Sequence, residues 1–198
     1  MSHAEQATGS GAKVSHSTGI FVALIPWILF TIVAEHGTLK VASVAALLIA
    51  AIIAAPGIRA GRPKALELGA IAAFTAFTLI AFLADASTAE FVERYARGIA
   101  AALLALIAFG SLATVPFTEQ YAREKVPQEL WSSPRFKSVN RRLTLLWGCV
   151  FAAMVPFHIA AGLIDTRPTN IVLNWVVPIG LVLWATKQTT AITNEEAA

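Results

Sequence analysis

Charge is what this chain has little of. Lys, Arg, Asp and Glu make up 14% of its 198 residues, against about 25% in a soluble domain. The charges present are clumped, leaving apolar runs of about 17 to 22 residues, and roughly 20 such residues carry a helix across the hydrocarbon core of a membrane. Strict alternation of apolar and polar residues is missing too, which argues against a transmembrane barrel. Cysteine is almost absent. Cys149 stands alone, so no intrachain disulfide forms, and inside its apolar run it reads as a small buried packing residue. No G-x-S-x-G, P-loop, H-x-x-x-H or H-E-x-x-H motif occurs, which removes the common anchors of nucleophilic, phosphate-binding and metal chemistry. Cys149 and His158 share one apolar run but would lie about 13 Å apart along a helix axis. No internal repeat is visible, so the inverted-repeat logic of transporters finds no support. No cofactor and no metal site is expected.

What is present is an all-α membrane protein, a bundle of about six transmembrane helices. The apolar segments run over about 19–34, 39–55, 66–84, 98–115, 143–164 and 171–186, each near the length a span requires. The first two are short, so a re-entrant hairpin competes with two spans. Pro56-Gly57 is expected to stop the second segment and Pro116 to close the fourth. Residues 1–17 read as a disordered cytoplasmic tail, 18–188 as one transmembrane domain and 189–198 as a cytoplasmic tail. A cleaved signal peptide fits poorly, because Ile32 stands where cleavage needs a small residue.

Eleven of the fifteen Lys and Arg fall on one side of a six-span chain. They are Lys13, Arg59, Arg62, Lys64, Arg123, Lys125, Arg135, Lys137, Arg141, Arg142 and Lys187. These charges resist translocation, so both termini are expected in the cytoplasm of a bacterial cell, with the chain in the inner membrane. The net charge of +3 follows from this topology and does not call for nucleic acid. On the second segment Ala42, Ala46, Ala50 and Ala54 line one helix face. Such a stripe admits another backbone closely, either within the bundle or in a homo-oligomer. Phe74, Phe77 and Phe82 read as packing or lipid contact.

Residues 117–142 form the one long polar stretch, expected as two cytoplasmic interfacial helices. Glu119 and Arg123 are spaced to pair on the wet face. Ser133 and Pro134 read as the cap and first residue of a helix that continues into the fifth span. Tyr121 and Trp131 suit headgroup depth. The segment anchors the chain to anionic lipid, or else docks a partner through Gln120, Tyr121, Arg123, Glu124, Trp131, Asn140 and Arg141.

The order of elements resembles the intracellular septation protein A family of small bacterial inner-membrane proteins. The features that carry this are the early FVALIPWILF, the Ala-rich second span, and Val126, Pro127, Trp131, Asn140, Leu143, Trp147 and Phe151 in series. The stretch PFTEQYAREKVPQELW also resembles uncharacterised multi-spanning proteins of high-GC bacteria. The resemblance implies a non-catalytic role in septation or envelope synthesis, acting through contacts with membrane or cell-division proteins. Ionisable residues inside membranes invite a functional reading. Glu35, His36, His158 and Asn174 form a candidate outward-facing polar cluster, as in a small transporter or channel, with a hydrogen-bonded structural His158 as the plainer account. A lipid-headgroup enzyme at the Arg-rich face is the third reading.

Overall fold

The structure, a computed structural model, describes residues 18–195; the expected tail over 1–17 lies outside them. Every element is helical: α1 (Thr18–His36), α2 (Leu39–Arg59), α3 (Ala65–Leu83), α4 (Ala86–Ser111), the short α5 (Phe117–Ala122), a 3₁₀ turn at Gln128–Leu130, α6 (Pro134–Ile164), α7 (Arg167–Ile171) and α8 (Val177–Glu195). A π-helical turn at Val172–Val176 joins α7 to α8 in one continuous helix. Four helices are long and apolar enough to cross a membrane: α2, α3, α6 and the joined α7–α8 helix. The apolar part of α1, Gly19–Glu35, is shorter.

The outer surface is apolar. Leu48, Ile52, Leu83, Leu106, Leu163 and Leu183 are all more than half exposed, a belt that a protein in water would bury. Inside, the packing residues are small or aromatic. Ala42, Ala46, Ala50 and Ala54 are fully covered as α2 packs between α1 and α3. The alanine stripe therefore works within the chain, and no seam for a second copy remains on it. Trp27 and Phe30 of α1 meet Phe74 and Phe77 of α3 with ring centroids 4.8–5.2 Å apart, while Phe82 points outward.

Close approaches between α4 and α6 are made at glycine. A Cβ added to Gly148 of α6 would stand 2.7 Å from the Phe109 ring of α4, and one on Gly162 would stand 2.9 Å from the Tyr95 ring. Gly98 faces the Cβ of His158, so α4 and α6 run together along most of their length.

Several expectations are corrected. Helix α2 continues through Pro56 to Arg59. The proline still has three helical residues beyond it, and Ala60 closes the end by donating to Pro56 O. Helix α4 starts twelve residues before the expected Gly98 and ends at Ser111, ahead of Pro116. Asp85 caps its start by accepting from Thr88 N, and its charged first half is amphipathic, which hid it from a search for apolar runs. Helix α8 reaches Glu195, so residues assigned to a C-terminal tail continue the last helix. Cys149 is exposed on α6, not buried, because the neighbouring Gly148 takes the α4-facing position. The expected start of α6 holds: Ser133 Oγ accepts from Phe136 N, and Pro134 opens the helix.

Candidate functional site

The two ends of the bundle differ in kind. At one end, the α4–α6 connection folds inward. Phe117, Thr118, Glu119 and Tyr121 of α5 are buried, so this segment is a wedge in the bundle and not a helix lying on a lipid surface. Three of the four polar side chains of TEQY find partners inside, while the Tyr121 hydroxyl is buried without a hydrogen-bond partner. Thr118 Oγ1 donates to Asn140 O at 2.7 Å and lies 2.8 Å from Thr144 Oγ1 on α6. Gln120 Oε1 accepts from Ala65 N at 2.7 Å, and its Nε2 donates to Val115 O at 2.7 Å. It thus satisfies an open N–H at the start of α3, where Lys64 supplies no side-chain cap.

Glu119 is buried and takes Arg123 through Nε and a terminal nitrogen at 3.1 and 2.6 Å, a correction to the expected pairing on a wet face. Arg123 also stacks over Trp131, 5.0 Å from its ring, and Trp131 Nε1 donates to Val126 O. Lys64 bridges Glu67 and Glu124 and lies 4.5 Å over the Tyr121 ring. Burial, followed by the carboxylates of Glu67 and Glu124, pushes the Tyr121 phenol well above its ordinary range, so it stays neutral. Of the seven docking candidates, Gln120, Tyr121 and Asn140 are engaged inside, Arg123 and Trp131 are half-covered by each other, and Glu124 and Arg141 face outward.

At the opposite end the bundle opens into a polar cleft of about 260 Å³, walled by Glu90, Glu93, Arg94, Arg97, Asp165, Asn170 and Asn174. Two networks border it. In the first, Arg97 pairs with Glu35 at 2.8 Å and reaches Thr31 O, while Trp175 Nε1 donates to the same Glu35 oxygen at 2.6 Å. In the second, His158 Nδ1 lies 2.8 Å from Asn174 Oδ1, Asn174 donates to Asn170, and Asn170 to Asp165. The Nε of Arg97 is buried without a hydrogen-bond partner.

Of the four candidate residues, Glu35 lies in the first network and His158 and Asn174 in the second, at the same end of the bundle; nothing is described of the His36 side chain. Sequence reasoning missed Arg97, which it counted only as a loop charge, and Trp175. The signal that could have found Arg97 is its place one residue before the apolar half of α4. Asn174 and Trp175 both sit on the π turn. Pro178 follows four residues after Asn174, and its ring would press on that carbonyl in a regular α-helix. A widened turn relieves the clash, and such turns recur at functional sites.

Fold and site together define an all-helical bundle with four helices long and apolar enough to cross a membrane, wedged by α5 at one end and carrying a charged cleft at the other. No protein-family model, curated protein or solved structure matches the chain. The resemblance to the septation family therefore rests only on the residues that carry it.

Proposed function

We propose that the chain is a six-span bacterial inner-membrane protein with both termini in the cytoplasm, and that its outward-facing cleft binds a small charged solute. The orientation follows the eleven-to-four partition of Lys and Arg. One observation carries the binding reading: Arg97, on the wall of the cleft, is tied to Glu35 and keeps a buried unpaired Nε. A guanidinium at such depth is costly unless it serves a purpose. The lining holds both signs, with Glu93 and Asp165 beside Arg94 and Arg97, so a zwitterion of amino-acid size matches its chemistry.

The test is thermal unfolding in detergent with glycine, glutamate, lysine and small dicarboxylates as probes. A ligand at a hundred times its Kd adds about 2.7 kcal/mol, or about 5 to 10 °C for a chain of this size. At least one zwitterion should produce such a rise, and Arg97→Gln should remove it. A panel without effect, or a shift that survives Arg97→Gln, would overturn the reading.

The contact reading, a septation or envelope factor, draws on the exposed basic face of Arg135, Lys137 and Arg141 on α6. A pulldown in mild detergent that brings down division or cell-wall proteins would favour it.

A further inference from the structure

A second cavity lies at the wedged end, away from the cleft. It measures about 390 Å³ and is walled by α1, α5, the connector, α6 and α8. Its wall is apolar, with Phe21, Val126, Phe136, Val139, Leu143 and Trp147 prominent.

Three threonines of α8 also line it, Thr186, Thr189 and Thr193. Each turns its hydroxyl back to a carbonyl of its own helix, at 2.9, 2.9 and 3.0 Å. That leaves methyl groups as the remaining surface, so a polar-looking stripe behaves as a greasy wall. Trp147 Nε1 is satisfied by Thr189 Oγ1, and Asn140 Nδ2 by Phe136 O. The cavity therefore asks for no polar ligand deep inside.

Polarity is confined to one end. Arg135, exposed, and Ser133 stand in the wall near the start of α6, while Trp147 lies twelve residues further along the same helix. The distance between these levels is about 18 Å at 1.5 Å per residue. Exposed Lys137 accompanies Arg135 at this end, with Glu129 as the opposing charge on the connector.

We propose that this cavity holds one acyl chain of an anionic membrane lipid, its headgroup on Arg135. The apolar wall takes the chain, and Arg135 and Lys137 at its mouth complement an anionic head. The inference rests on the membrane reading of the fold and is independent of the outer cleft.

Native mass spectrometry of the delipidated protein, titrated with phosphatidylglycerol or phosphatidylcholine in detergent, tests it. Wild type should retain one phosphatidylglycerol at least tenfold better than phosphatidylcholine. Val139→Phe, which fills the cavity, should reduce that retention at least tenfold. Arg135→Gln should bring phosphatidylglycerol down to the phosphatidylcholine level. Leu145→Phe, at an exposed position on α6, should change neither.

Equal retention of the two lipids by wild type, or retention unaffected by Val139→Phe, would overturn the proposal. So would a wild-type dimer that Val139→Phe abolishes, since a second copy would then own the cavity. Should Val139→Phe fail to fold, Arg135→Gln decides alone, and an unchanged lipid preference refutes the site. Recovery of the protein from the soluble fraction without detergent would defeat the membrane reading itself, a different result from a loss of lipid preference.

Discussion

Gln120 is one side chain with two ties, to the first turn of α3 and to the end of the α4–α5 connection. Neither tie is visible in the sequence, because 55 residues separate Gln120 from Ala65 and a glutamine in a polar stretch looks like any surface residue. Gln120→Ala should leave both backbone groups unmet and destabilise the protein by about 1–3 kcal/mol. Gln120→Glu keeps the acceptor and loses the donor, so its melting temperature should fall between those of wild type and the alanine variant. Thermal unfolding in detergent measures both; an alanine variant as stable as wild type would remove Gln120 from the joint. The same reasoning applies to Tyr121 and Asn140, polar residues of the same stretch that are buried in the bundle. Amphipathic spacing locates a polar face, but it cannot tell a face turned to water from one turned to polar partners on another helix.

At the scale of elements, apolar length was legible and its partners were not. Helices α2, α3 and α6 announce themselves because apolar runs of that length have few alternatives. The Ser133–Pro134 start of α6 was equally plain, since the cap and the fixed proline φ are local chemistry. The first half of α4 escaped notice because its charges, Glu90, Glu93, Arg94 and Arg97, broke the apolar run that marks a span. Those same charges build the cleft. The alanine stripe on α2 was visible, whereas the glycines that set the α4–α6 spacing are scattered and follow no simple period. Gly148→Ala should force the Phe109 ring away and cost about 1–3 kcal/mol by overpacking. Gly110→Ala, at a position with open space around it, should not. A matched pair of melting curves separates crowding at α4–α6 from any general effect of replacing glycine in a helix.

For the whole molecule, the helix ends sort themselves. Glu35, Arg97, His158 and Trp175 gather at one end, and Lys64, Gln120, Tyr121 and Glu124 at the other. This is the pattern that antiparallel helices running the full length of the bundle produce. The expected topology gives a direct readout in a Cys149→Ser background. Cysteine at Ser132, exposed beside the wedge, should resist an impermeant thiol reagent in intact cells, and cysteine at Glu90 should label readily. The reverse pattern would invert the orientation and turn the charged cleft toward the cytoplasm.

The wedge also sets an order of events during synthesis. Helices α1, α2 and α3 touch in sequence, so each can settle against the previous one as it leaves the ribosome. The start of α3 must wait for Gln120, and α5 in turn must wait for Thr144 and the Asn140 carbonyl on α6. A nascent chain that has reached only α4 therefore holds an unfinished joint at its wedged end. That joint closes when α6 arrives, much as a vault stands unsupported until its last stone is set.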